Sequence, residues 1–242
     1  MSLFAIADVH LSLGTDKPMD VFGPAWQNHV ARLEAGWRAA VSEGDTVLLA
    51  GDISWAMGFS ELLPDLRFLH ALPGEKILSR GNHDYWWSTY ARMEAMTAAE
   101  GLHSIRFLKN NAYLRGDDLI AGSRGWLLPW DPEFTKQDAK VLAREQGRLK
   151  LSLDYASALA AAEEEAEGRS LRRIAMLHYP PTDNRFRPSP YTDILESCGV
   201  DVCIYGHLHG MGSRVGPHGT GARGILFVNT SADYLDFRPR RI

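Results

Sequence analysis

The sequence predicts an α/β fold of two mixed β-sheets flanked by helices. Three observations carry that reading. Short apolar runs recur at residues 3–7, 46–50, 76–78, 174–177, 200–205 and 225–228, with the length and composition of buried strands. Helical patterns separate the early runs, which gives β-α-β units and parallel strands. Additional short strand candidates crowd the middle of the chain, between parallel strands at the start and at the end.

In chain order, residues 3–7 read as a strand that ends in a turn holding Asp8 and His10. Gly14, Pro18, Gly23 and Pro24 mark residues 12–24 as a loop. Residues 25–42 read as an amphipathic helix, because Trp26, Val30, Leu33, Trp37 and Val41 recur at spacings of three and four. The strand at 46–50 completes a crossover unit. Residues 59–69 form a second helix, opened or interrupted by Pro64. Pro73 and Gly74 turn the chain into the strand at 76–78. A helix over 85–100 is expected to start directly after Gly81-Asn82-His83-Asp84, with its N-terminus aimed at a phosphate site and Asp84 either capping it, the preferred reading, or orienting His83. Residues 105–108, 112–114 and 119–121 are short strands, and Gly116-Asp117-Asp118 joins the last two as a hairpin. Trp126, Pro129, Trp130 and Pro132 make 122–138 a loop. A long helix rich in Ala, Leu and Glu follows over 135–168, with Gly147 as a candidate break and Glu163-Glu164-Glu165 as a solvated face. A short helix at 193–197 lies between the strands at 174–177 and 200–205.

A chain of 242 residues buries a sizeable core without disulfides. We expect one domain over 1–242, with 122–168 as a loop-plus-helix elaboration. The net charge of −4 offers no global attraction to nucleic acid or to an anionic membrane. Cys198 and Cys203 lie in or beside a strand and read as reduced core thiols. No apolar run reaches the ~20 residues that span a bilayer. Asp8 and His10 arrive before a signal-peptide core forms. A cytoplasmic protein without a membrane partner is expected.

Seven polar residues stand just past the ends of the strands: Asp8, His10, Asp52, Asn82, His178, His207 and His209. In an open α/β sheet the carboxyl ends of the strands share one edge, where ligands bind. Residues far apart in sequence are therefore expected in one cluster. Oxygen and imidazole donors suit borderline divalent metals, and the absence of thiolates argues against structural zinc. Two carboxylates, four histidines and one amide exceed the needs of one tetrahedral ion. They suit two ions about 3.5–4 Å apart. Taken singly, Asp8, Asp52 and Asn82 read as turn or helix caps, and His178 as a satisfied loop histidine. The ordered set shifts the reading to ligands.

Asp8-x-His10, Gly51-Asp52, Gly81-Asn82-His83-Asp84, His178 and Gly206-His207-x-His209 resemble, in order, the motif set of the calcineurin-like metallophosphoesterases. The resemblance implies a four-layer sandwich of two mixed sheets packed face to face. It implies a dinuclear, metal-dependent phosphoric ester hydrolase acting on a small phosphomonoester or phosphodiester, a phosphatase or phosphodiesterase. Asp8, His10 and His209 would bind one metal, Asn82, His178 and His207 the other, and Asp52 would bridge them. Manganese, iron or zinc suit such donors. The family's paired ions hold the phosphate and lower the pKa of a bridging water, so that hydroxide attacks phosphorus in line. His83 is the expected catalytic residue, giving a proton to the leaving alkoxide or stabilising the transition state. Arg80 and Arg124 are candidate phosphate clamps. Trp126, with Trp130, is a candidate substrate-facing lid, with core packing as the alternative.

One departure matters. The second motif reads Gly51-Asp52-Ile53-Ser54-Trp55-Ala56-Met57, without the Asp-Arg pair of the protein serine/threonine phosphatases. The chain is more similar to the small prokaryotic phosphohydrolase branch, and no partner for His83 stands in the motif. Two other readings follow from the same residues. A nuclease of the superfamily wants a basic groove, which the acidic balance does not favour. A non-catalytic metal-binding scaffold is disfavoured by His83 standing beside all seven ligand candidates.

Overall fold

The computed structural model describes residues 1–210, 212, 216–221 and 223–242. It divides into two compact units, Met1–Phe107 with Thr230–Ile242, and Leu108–Asn229. In chain order the strands are β1 (Leu3–Ile6), β2 (Thr46–Ala50), β3 (Glu75–Ser79), β4 (Ile105–Phe107), β5 (Tyr113–Arg115), β6 (Asp118–Gly122), β7 (Arg172–Met176), β8 (Val202–Tyr205), β9 (Gly219–Thr220), β10 (Leu226–Asn229) and β11 (Arg240–Arg241). The α-helices are α1 (His29–Ala40), α2 (Phe59–His70), α3 (Tyr90–Ala99), α4 (Lys136–Glu167) and α5 (Pro190–Ser197). Two mixed sheets with helices confirm the expected fold class.

The sheet of the first unit runs β11-β1-β2-β3-β4. β1 to β4 are parallel, and β11 pairs antiparallel with β1. Every residue of β1 and β2 is buried, as parallel strands require when both faces are covered. Leu33 and Trp37 of α1 and Leu62, Leu66 and Leu69 of α2 are fully buried at helical spacing.

Three expectations change here. The first helix starts at His29, not at 25, because Pro24–Trp26 winds into a 3-10 turn that buries Trp26. α2 runs unbroken through Pro64. Proline forfeits one helical N–H there, and the buried leucines on both sides hold the helix together. The third helix starts at Tyr90, not at 85, and Thr89 caps it by accepting from the Arg92 N–H. Asp84 is not that cap. Its carboxylate is committed to loop N–H groups, so the residues after it stay in turns. The helix N-terminus is consequently not the one that follows the motif directly.

The sheet of the second unit runs β5-β6-β7-β8-β10-β9. β6, β7, β8 and β10 are parallel, with β5 and β9 antiparallel at the two edges. Arg115 pairs with Asp118, which leaves Gly116-Asp117 as a two-residue hairpin loop, with Gly116 at φ 59°. α4 continues through Gly147, so the candidate break is absent. The local cost of a helical glycine is about 1 kcal/mol. Burial of Leu142, Leu149, Leu153 and Ala156 along the same helix offsets it. Ser189 caps α5 in a capping box with Thr192, and Pro190 occupies the first helical position. Cys203 is buried, Cys198 is half-buried, and both thiols are free. Glu165 is exposed, Glu163 pairs with Arg169 at 2.6 Å, and the side chain of Glu164 lies outside the described residues. Among the described residues, no helix is long and apolar enough to cross a membrane.

Candidate functional site

In the first unit, Asp8 and His10 follow β1, Asp52 follows β2, and Asn82 and His83 follow β3. The three strands are parallel neighbours, so their carboxyl ends share one edge. Backbone pairing continues past the strands. The Asp8 N–H donates to Gly51 O at 2.9 Å, that of His10 to Asp52 O at 3.0 Å, and that of Leu11 to Ile53 O at 2.9 Å. On the other side of the loop, the Ala7 N–H donates to Thr230 O at 2.7 Å. The turn carrying Asp8 and His10 is thus hydrogen-bonded on both flanks.

Asp8, His10 and Asp52 are all buried. Ligand atoms of Asp8 lie within 4.8 Å of those of His10 and of Asp52. His10 Nε2 stands 3.7 Å from Asp52 Oδ2. Two buried carboxylates this close repel unless a positive charge compensates them. The donor set therefore fits a divalent cation on chemical grounds. Backbone strain marks the same residues. Asp8 (φ 58°), His10 (45°) and Asp52 (52°) are left-handed, as is His207 (70°) in the second unit. Non-glycine residues adopt this region at a cost, and such residues collect at functional sites.

Asp84 ties two loops together. Its buried carboxylate accepts five N–H bonds, from the backbones of Gly81, Asp52, Ile53 and Ser54 and from Trp86 Nε1, at 2.7–3.2 Å. Burial, and then the Asp52 charge, push its pKa up, while the N–H donors pull it down. An acceptor-only carboxylate satisfies all five donors. The loop after β3 also comes close to Asp52 in another way. A Cβ on Gly81 would stand 2.0 Å from Asp52 Oδ1, so glycine is required there. The His83 N–H donates to Asp52 Oδ1 at 2.8 Å.

The His83 ring lies 4.5 Å from the ring of Trp55, and His10 stacks on Trp55 at 4.9 Å with 22° between planes. Trp55 Nε1 donates to Met19 Sδ, and Lys17 Nζ sits 3.7 Å above the indole. Trp55 thus supplies an aromatic neighbour for His83 from the loop where the motif carries no Asp-Arg pair. Sequence reasoning passed over it, because one tryptophan in a loop has no periodicity to reveal its role. Asp65 supports the same loop, accepting from Ser54 Oγ and from the Leu13 N–H. Burial pushes its pKa up to about 6 against the pull of these donors. Arg80 is half-buried directly after β3.

In the second unit, Arg124 follows β6, His178 follows β7, and His207 and His209 follow β8, again at the carboxyl ends of parallel neighbours. The His178 N–H donates to Arg124 O at 2.9 Å, and the Gly206 N–H donates to His178 O at 3.1 Å. These bonds join the three loops. The rings of His178 and His207 lie 5.1 Å apart, and Tyr179 lies 4.1 Å from His207. Trp126 continues the series, 5.0 Å from Tyr179, and the Arg124 guanidinium lies over the Trp126 ring at 4.2 Å. Arg124 is buried and pairs with the fully buried Glu145 at 3.3 Å. His209 is half-buried and accepts from the Gly212 N–H at its carbonyl.

A family model described as calcineurin-like phosphoesterase matches residues 1–211 of the chain. No curated protein matches it. Solved structures resemble it in fold, among them two that span nearly the whole chain. A protein of unknown function from Aquifex aeolicus has TM-score 0.50 and 18% identity, over 99% of this chain and 95% of its own. A phosphopantetheinyl hydrolase from Mycobacterium tuberculosis has TM-score 0.51 and 16% identity, over 100% of this chain and 95% of its own.

Proposed function

The chain belongs to the calcineurin-like phosphoesterase family, and on that premise we propose that it hydrolyses a small phosphomonoester or phosphodiester with two divalent metal ions. The ligands in this reading are Asp8, His10, Asp52, Asn82, His178, His207 and His209. One observation carries most of the weight: Asp8, His10 and Asp52 are buried, mutually close and held in strained backbone at the carboxyl edge of a parallel sheet. Bound metal would supply positive charge for the phosphoryl oxygens and acidify a water near neutral pH.

The chain's own residues do the rest. Asp52 presents two oxygens with its loop fixed by Asp84. His83, anchored by its N–H to Asp52 and packed on Trp55, delivers the proton to the departing alkoxide. Arg80, placed directly after β3, is the candidate clamp for a phosphoryl oxygen. Manganese is the first metal to try, and the name of the Mycobacterium tuberculosis neighbour adds a phosphopantetheinyl compound to the substrates worth testing.

The test is turnover of a chromogenic monoester and diester by chelator-stripped protein refilled with manganese. Turnover should return with metal and fall at least about a hundredfold in His83→Ala. Asp52→Asn should abolish it while the circular dichroism spectrum stays that of the folded protein. Undiminished turnover in Asp52→Asn refutes the ligand reading.

A further inference from the structure

The second unit contains a cavity of about 300 Å³, in the range of small-molecule sites. Trp126, Trp130, Tyr179, Leu128 and Leu208 line it, together with the ligand candidate His207. The two indoles are fixed in place. The Arg124 guanidinium lies 4.2 Å from the Trp126 ring and that of Arg187 lies 4.8 Å from Trp130. Each arginine is itself ion-paired, to Glu145 at 3.3 Å and to Asp183 at 3.2 Å. Trp126 Nε1 donates to Asp138 Oδ1 at 2.8 Å. Cation–π contact and this hydrogen bond hold the rings as platforms.

The polar groups that reach the cavity are few. Thr182, Asp183 and Asp131 lie at its margin but are already bonded. Thr182 Oγ1 donates to Arg187 O, Asp183 accepts from the Arg185 and Arg187 N–H groups and pairs with Arg187, and Asp131 accepts from the Leu128 N–H. Asn184 offers an amide with two donors and an acceptor. Fixed ring faces with a sparse polar margin suit a flat ring with a polar edge, which stacks on the faces and hydrogen-bonds at the rim. A sugar would leave most of its hydroxyls against apolar wall. A flexible chain would gain contact area but nothing from the fixed orientation of the rings.

We propose that this cavity receives a flat heteroaromatic ring on the alcohol side of the phosphate ester. The inference rests on the phosphoesterase reading and deepens it, by naming the class of substrate.

Two measurements separate the two claims. The first is calorimetric binding of adenosine and of ribose, neither of which carries phosphate. Adenosine should bind at least about tenfold more tightly than ribose, since stacking is tolerant of ring identity. Trp130→Ala should remove that difference and Trp130→Phe should keep it. Equal binding of adenosine and ribose, or an adenosine preference untouched by Trp130→Ala, overturns the proposal. The second is kcat/KM for adenosine 5′-monophosphate against ribose 5-phosphate with manganese. Both esters release a primary alkoxide, so their ratio reports the replacement of the anomeric hydroxyl by the ring. A ratio near one, on an enzyme that turns both over, overturns the proposal and leaves the phosphoesterase reading intact. Ring binding that depends on Trp130, with no ester hydrolysed, supports the cavity and refutes the phosphoesterase reading.

Discussion

At the scale of single residues, the site depends on groups that hold others. Gly81 is the sharpest case. A side chain there would meet Asp52 Oδ1 at 2.0 Å and Asp52 N at 2.2 Å, and backbone has little room to give. Gly81→Ala is expected to cost about 1–3 kcal/mol in urea unfolding, the range of overpacked positions, and to weaken manganese binding as Asp52 is displaced. Asp65 sets a pH dependence. Its pKa rises from 3.8 to about 6 in the folded protein. The favourable contribution of its protonated form is therefore full below about pH 4 and is lost as pH rises through about 6. A shift of this size amounts to ~3 kcal/mol. Asp65→Asn should flatten the wild-type loss of stability between pH 4 and 6, read as the difference between the two unfolding curves. An unchanged pH profile would refute the assignment. The ligand candidates were legible because each is a polar residue closing an apolar run. Trp55 and Asp84 were not, for a physical reason. Their roles come from loop-to-loop contacts, Trp55 beside His10 and His83 and Asp84 beneath five N–H donors, and neither leaves a spacing in the sequence.

At the scale of elements, the strands were easier to read than the helix ends. An apolar run of four or five residues has few registers available, so β1, β2, β3 and β7 fall within two residues of expectation. Helix starts depend on which side chain takes the cap. A helix start was expected directly after the motif at residue 85, yet Thr89 is the cap and Asp84 is occupied elsewhere. β9 and β11 are two residues each and pair through backbone alone, so Arg240–Arg241 carries no strand signal. Ser189 makes a clean test of capping at this scale. It accepts from the Tyr191 and Thr192 N–H groups and donates to Pro181 O. Ser189→Ala should lower stability by about 1–2 kcal/mol, with α5 losing hydrogen-exchange protection before the sheets do.

At the scale of the whole molecule, each unit repeats one plan: four parallel strands whose carboxyl-end loops carry the polar residues, with antiparallel strands at one or both edges. That plan was legible in the alternation of runs and helices. The division into Met1–Phe107 with Thr230–Ile242 and Leu108–Asn229 was not, because no linker composition marks it. If the folded chain alone binds manganese, metal at a hundredfold above its Kd should add about 2.7 kcal/mol of stability. The gain is expected as a rise in Tm that chelator reverses and that Asp52→Asn lacks. A further consequence concerns time. The loop bearing Asp8 is bonded to Thr230 through Ala7, and β1 is bordered by β11. Ala7 and β1 leave the ribosome long before Thr230 and β11. The edge beside Asp8 therefore stays open while the intervening residues are made, and its pairing on that side closes only once Thr230 and β11 have followed.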